Sequence, residues 1–280
     1  MVRCTIDALL FDPATNETVR AAVPAPLLPG VEFATHLGDP ATVLAVATGY
    51  FWLSAPTDRD RGARVLAVAL LAFAITNGLK GLVLFERPVE QLAFAADGYG
   101  GYSFPSGHSL GAAAVYGAMA TASDWATPRR RYTVAGAGIA LVALSRLVLG
   151  VHYLGDVVGG ACLGLALGVG LLRVPNVDPG RLFALAGVLA IASYGLPARA
   201  FMPATVGAAL GAAVTWRMLE DRPFGTCNAV LSLGVVLPVL LGVRLLSRGW
   251  GLHWSVELGS YALALSLALA ASVRWETLLQ

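Results

Sequence analysis

Lys80 is the sole lysine in a chain with 19 lysines and arginines in all, and it opens the spacing Lys80-x6-Arg87-Pro88. Two further blocks follow, Pro105-Ser106-Gly107-His108 and Ser145-Arg146-x5-His152-x3-Asp156. Lys80, Arg87 and Arg146 together call for an anion, and the nearby carboxylates Glu86 and Asp156 are too few to balance them. A phosphate group suits them, because Arg grips it through paired N–H bonds and Lys adds a compact point charge. His152 and Asp156 stand one helical turn apart and can share a face. A carboxylate bonded to one imidazole nitrogen fixes the tautomer and leaves the other nitrogen as nucleophile or base. Taken alone, the pair also reads as a structural His–Asp hydrogen bond. A metal site fits less well, since two ligands are too few and no third is spaced to join them. His108 supplies the second imidazole that a two-step phosphoryl transfer uses.

The elements that must carry these residues are helices. Pro105 and Ser106 suit the first positions of a helix. Gly107 lets backbone approach a ligand, and the free N–H groups of a helix start point at an anion. The same tetrapeptide, on its own, is also an ordinary helix cap. Lys80 and Arg146 each fall near the end of an apolar stretch. A cation there marks a functional site by default, the alternative being a side chain that snorkels to the interface.

The composition supplies such stretches throughout. The chain is 57% hydrophobic and only 13% charged, where soluble domains carry about 25% charged residues. It reads as all-α, a polytopic transmembrane helix bundle of roughly nine spans, each near the length a bilayer requires. The spans are expected near 31–54, 63–85, 105–124, 132–150, 154–172, 182–197, 204–219, 227–246 and 255–273, with breaks at Pro56-Thr57-Asp58-Arg59, Thr127-Pro128-Arg129 and Pro175 to Pro179. The fifth carries Gly160-x3-Gly164-x3-Gly168, small residues at the spacing that lets helix backbones meet. Arginines concentrate in one set of alternating loops, among them Arg59, Arg61, Arg64 and Arg129 to Arg131. Short cytoplasmic loops are enriched in basic residues, so all three blocks are expected on the opposite, extracytoplasmic face of a cell membrane.

A net charge of +2, with no basic run long enough to form a binding stripe, is too small to suggest a nucleic-acid partner. Cys4, Cys162 and Cys227 lack metal-ligand spacing, and Cys162 reads as a small core residue in mid-span. No cleaved signal peptide is expected from Met1 to Asp12. His36 and His253 read as interfacial; Asp39 and Asp124 either matter in a membrane setting or are simply solvated residues at span ends. Tyr99, Tyr102 and Phe104 are candidates for a substrate entrance.

The three blocks, in this order, resemble the signature of the type 2 phosphatidic acid phosphatase and vanadium haloperoxidase superfamily. That resemblance implies a metal-independent membrane phosphatase, without a cofactor, with a six-helix core. Its substrate would be a phosphate or diphosphate ester, of a lipid whose tail stays in the membrane. His152 would attack phosphorus and form a phosphohistidine, Asp156 would orient it, and His108 would protonate the leaving alkoxide. Lys80, Arg87, Ser106, Gly107 and Arg146 would hold the phosphoryl oxygens. The expected organisation is an interfacial segment over 1–30, a membrane phosphatase core over 31–180, and additional helices over 181–280. The same site would also serve a lipid or sugar phosphotransferase, a non-catalytic phosphate-binding membrane protein, or a haloperoxidase holding vanadate. The oligomeric state is not legible.

Overall fold

A computed structural model describes residues 9–88, 101–197, 202–225 and 253–273. Among them the chain is helical, with one isolated bridge between Phe224 and Val273. The helices are α1 (Pro13–Ala21), α2 (Leu28–Thr35), α3 (Pro40–Val83), α4 (Gly107–Ala122), α5 (Pro128–Val148), α6 (Leu154–Arg173), α7 (Pro179–Ser193), α8 (Met202–Leu219) and α9 (Trp254–Ala270). Among the described residues, three helical stretches are long and apolar enough to cross a membrane: Pro56–Val83, Pro128–Val148 and Leu154–Arg173. They match three of the expected spans, and the chain is a helical membrane protein. Pro179–Ser193 and Trp254–Ala270 are apolar but shorter. The span expected over 227–246 lies outside the described residues.

The helix boundaries follow the sequence's own punctuation. Pro128 and Pro179 each occupy a first-turn position, where a missing N–H costs nothing. The side chains of Thr127 and Asp178 cap the same two helices by accepting from Arg130 N and from Gly180 and Arg181 N. In α3 the expected break between two spans is a kink within one continuous helix instead. Pro56 removes a helical hydrogen bond, and Asp58 leaves helical geometry at φ −153° and ψ 78°. Asp58 Oδ1 then accepts from Arg61 N at 3.0 Å, restarting the helix, so the ladder runs on with a kink.

Chain segments divide into two compact units. The first draws on 1–43, 76–173 and 196–200, and every block residue named above belongs to it. Its centre is the pairing of α6 with α4. Cβ atoms added at Gly160, Gly164 and Gly168 would run into the carbonyl oxygens of Ser106, Leu110 and Ala114, three successive turns of α4. Three missing side chains thus let the two backbones touch. The small-residue stripe works as a packing device, as its spacing predicts. Cys162 is a correction: it lies exposed on α6, away from this seam.

The second unit draws on 44–75, 174–195 and 201–280. It repeats the same device, with Gly207 and Gly211 of α8 against backbone of Leu258 and Ala262 in α9. Phe51, Phe183, Trp216 and Phe224 form an aromatic cluster there. The Arg59 guanidinium lies over the Trp216 and Phe224 rings at 5.6 and 5.0 Å. None of the block residues lies in this unit.

Candidate active site

His152 follows α5 and precedes α6, and only 1% of it is exposed. Arg87 Nη1 lies 3.2 Å from His152 Nε2. A guanidinium only donates, so Nε2 must present its lone pair and the ring proton must sit on Nδ1. Nδ1 lies 3.4 Å from Asp156 Oδ2 and 3.3 Å from Ser103 Oγ. Ser103 Oγ donates in turn to Asp156 Oδ2 in a short bond, and Tyr153 N donates to the same oxygen at 2.8 Å. The carboxylate therefore fixes the tautomer directly and through a serine. Burial holds the His152 imidazole well below its ordinary acidity range, and the charges of Arg87, Arg146 and Lys80 push the same way. His152 is a neutral imidazole with one lone pair turned towards a cation.

Three cations from separate elements act on that imidazole. Lys80, in the last turn of α3, donates from Nζ to the Tyr102 carbonyl at 2.5 Å. Arg87 is fixed by the carbonyls of Gly101 and Val151, at 3.1 and 2.6 Å. Arg146, in the last turn of α5, is wholly buried, and its Nη1 donates to Thr35 Oγ1 at 2.5 Å. All three lie close enough to act on His152 electrostatically, as does His108.

The Pro105 block is stitched directly to the His152 block. Ser106 N donates to the Asp156 carbonyl at 3.0 Å. Its hydroxyl is fully buried and caps α4, accepting from Ser109 N at 3.5 Å and from Ser109 Oγ at 3.1 Å. Gly107 and His108 open α4, where first-turn amides have no partner within the helix. A Cβ at Gly107 would press on Thr76 Cγ2 at 3.1 Å. Lys80, Arg87, Ser106, Gly107, His108, Arg146, His152 and Asp156 thus stand in one unit around one imidazole.

Several supports were not legible in the sequence. Asn16 of α1, almost fully buried, donates from Nδ2 to the carbonyls of Leu147 and His152, at 3.2 and 2.7 Å, and so pins the loop that carries the imidazole. Thr35 holds Arg146 and Ser103 serves Asp156. Asp39 is a correction to the solvated reading, for its Oδ1 lies 2.8 Å from His108 Nε2. His36 bonds to the other oxygen of the same carboxylate at 2.7 Å. The available signal was a polar run, Thr35-His36-x2-Asp39, at the mouth of an apolar stretch; Asn16 and Ser103 gave none. Phe104 packs over Gly159, Tyr102 contributes its carbonyl to Lys80, and Tyr99 lies outside the described residues. His253 caps α9, and Asp124 is exposed beside Arg131.

The family model of the PAP2 superfamily matches residues 61–178. All three blocks lie inside that stretch, so the resemblance read from them holds. Phosphatidylglycerophosphatase B of Bacillus subtilis (strain 168) is 44% identical to this chain over 72 residues, which are 24% of this chain. The match spans 36% of that protein's length. A crystal structure described as the first transmembrane PAP2 type phosphatidylglycerolphosphate phosphatase from Bacillus subtilis is 28% identical, covering 58% of this chain and 82% of its own, with a TM-score of 0.49. Asn16, Thr35, His36 and Asp39 lie N-terminal to the matched PAP2 segment.

Proposed function

We propose that this protein is a membrane phosphatase that hydrolyses the phosphate ester of a lipid through a phosphohistidine on His152. The observation that carries the reading is the His152 tautomer. Asp156 and Ser103 hold the proton on Nδ1, and the Nε2 lone pair faces Arg87, where a phosphoryl oxygen would sit. Nε2 attacks phosphorus as the ester oxygen departs with a proton from His108. Lys80, Arg87, Arg146 and the Gly107 amide hold the three equatorial oxygens as charge spreads over them. Ser106 contributes by fixing the helix start that presents that amide. Water, giving its proton to His108, then attacks the phosphohistidine and releases phosphate. The arginine distribution supports an extracytoplasmic site, and the helices after residue 180 an addition to the phosphatase core.

The relative named a phosphatidylglycerophosphatase supplies the first substrate to try. Purified protein with excess chelator would be offered phosphatidylglycerol phosphate, phosphatidic acid, an isoprenyl diphosphate and glucose 6-phosphate. Release of phosphate from a lipid ester, with an acid-labile phosphoryl group trapped on the protein, is the expected result. Silence on every ester from folded protein would overturn the reading.

Two further outcomes are expected from the site. Lys80→Arg keeps the charge but puts a longer, planar group where Nζ meets the Tyr102 carbonyl, so kcat should fall by at least about tenfold. Wild-type kinetics would make the sole lysine incidental. In the pH profile of kcat/KM, the acid limb belonging to His152 should lie well below the ordinary imidazole value of 6.5, because its lowered affinity for a proton keeps the attacking form neutral until the solution is more acidic. Arg87→Gln removes one of the charges responsible, so the limb should move up in pH. A limb that stays put would assign it to Asp156 in place of His152.

A further inference from the structure

His108 has a carboxylate of its own. Its Nε2 lies 2.8 Å from Asp39 Oδ1, and the other oxygen, Oδ2, is met by His36 Nδ1 at 2.7 Å. The side chains grade from inside to outside, 14% exposed for His108, 33% for Asp39 and 60% for His36. The turn that carries Asp39 is fixed on α4. Tyr116 OH donates to the Leu37 carbonyl at 2.6 Å, and a Cβ added at Gly38 would meet His108 Cβ at 3.0 Å and Val142 Cγ1 at 2.6 Å. Thr35, one turn earlier, holds Arg146. One short stretch, outside the matched PAP2 segment, therefore sets the orientation of two groups inside it.

The chemistry explains why a carboxylate belongs there. To protonate a leaving oxygen, His108 must carry a positive charge, which burial opposes first and the charges of Arg146 and Lys80 oppose as well. Two cations nearby oppose a third, and a carboxylate in direct contact offsets them. The arrangement parallels His152 with Asp156, one carboxylate for each imidazole.

We infer that Asp39 is a positioning residue for the general acid, orienting His108 and supporting its protonated form, with His36 fixing the carboxylate from the outer side. The inference rests on the phosphatase reading above and goes beyond it. In the first step a proton passes from His108 to the ester oxygen as the P–O bond breaks and the bond from phosphorus to His152 Nε2 forms. In the second step water returns a proton to the same imidazole. Asp39 gains and loses none.

The test is the first-turnover release of alcohol from phosphatidic acid against that of nitrophenolate from p-nitrophenyl phosphate. Nitrophenolate leaves without a proton, so a defect in the acid spares it. Asp39→Asn should slow release of the lipid alcohol by about 10- to 100-fold while changing nitrophenolate release by less than about threefold. His36→Ala, at an exposed position that threatens folding little, should show the same split at a few-fold, and Asp39→Glu should recover part of the loss. Equal slowing of both esters would make Asp39 merely structural, and unchanged rates on both would remove its role; either result overturns the inference while leaving the phosphatase reading intact. A wild-type protein that releases neither product removes both.

Discussion

His152→Ala should lose turnover by at least about 10⁴-fold while the protein stays folded in the membrane, and no phosphoryl group should be trapped on it. The size follows from what the side chain does. Without the imidazole there is no covalent step, and the remaining cations can only bind and polarise the ester. Asp156→Asn should resemble it only in part. An amide can still contact the ring, but no longer offers a charge to the imidazolium-like nitrogen that forms during attack. The discriminating measurement is phosphate release together with acid-labile labelling. Substantial activity in His152→Ala, or a label that survives the substitution, would assign the nucleophile elsewhere.

Gly164→Leu should be the most damaging substitution away from the chemistry. A Cβ there already runs into the Leu110 carbonyl and comes within 2.8 Å of Ala113 Cβ, and neither α4 nor α6 has a flexible side chain to yield at the carbonyl. Overpacking of this kind costs about 1–3 kcal/mol when neighbours can adjust, and here the obstacle is backbone. Separating the two helices would also stretch the bond from Ser106 N to the Asp156 carbonyl. That bond joins the helix start carrying His108 to the segment carrying Asp156. The expected result is a lower Tm with activity lost in step, while Gly136→Leu, on open surface, leaves both near wild type. A Gly164→Leu protein of normal Tm and activity would show that the seam has slack.

This coupling also explains how much could be read in advance. The three blocks announced themselves because phosphoryl chemistry demands particular residue types: cations for the oxygens, an imidazole with a carboxylate one turn away, and a glycine where backbone must come close. The stripe of glycines announced the α4–α6 contact because only a small residue lets two backbones meet. The breaks at Pro56, Pro128 and Pro179 were legible because proline lacks an N–H, although only tertiary context decided that α3 kinks at Asp58 and then continues.

What no local pattern carried was the set of residues that hold the site from a distance in sequence. Asn16, Thr35 and Ser103 are ordinary polar residues whose partners lie 136, 111 and 53 positions away. Asp39 looked like a solvated span end until folding laid it 69 positions along the chain against His108. A reacting group is constrained by its chemistry and so by residue type. A supporting group is constrained only by where its neighbour lies, and many polar side chains can supply one hydrogen bond. The sequence by itself therefore determined the helical membrane class, the three blocks with the chemistry proposed for them, and the stripe that joins two of their helices. Tertiary structure alone decided the tautomer of His152, the burial of Arg146 and the second carboxylate on His108, because each depends on contacts that exist only once distant segments pack together.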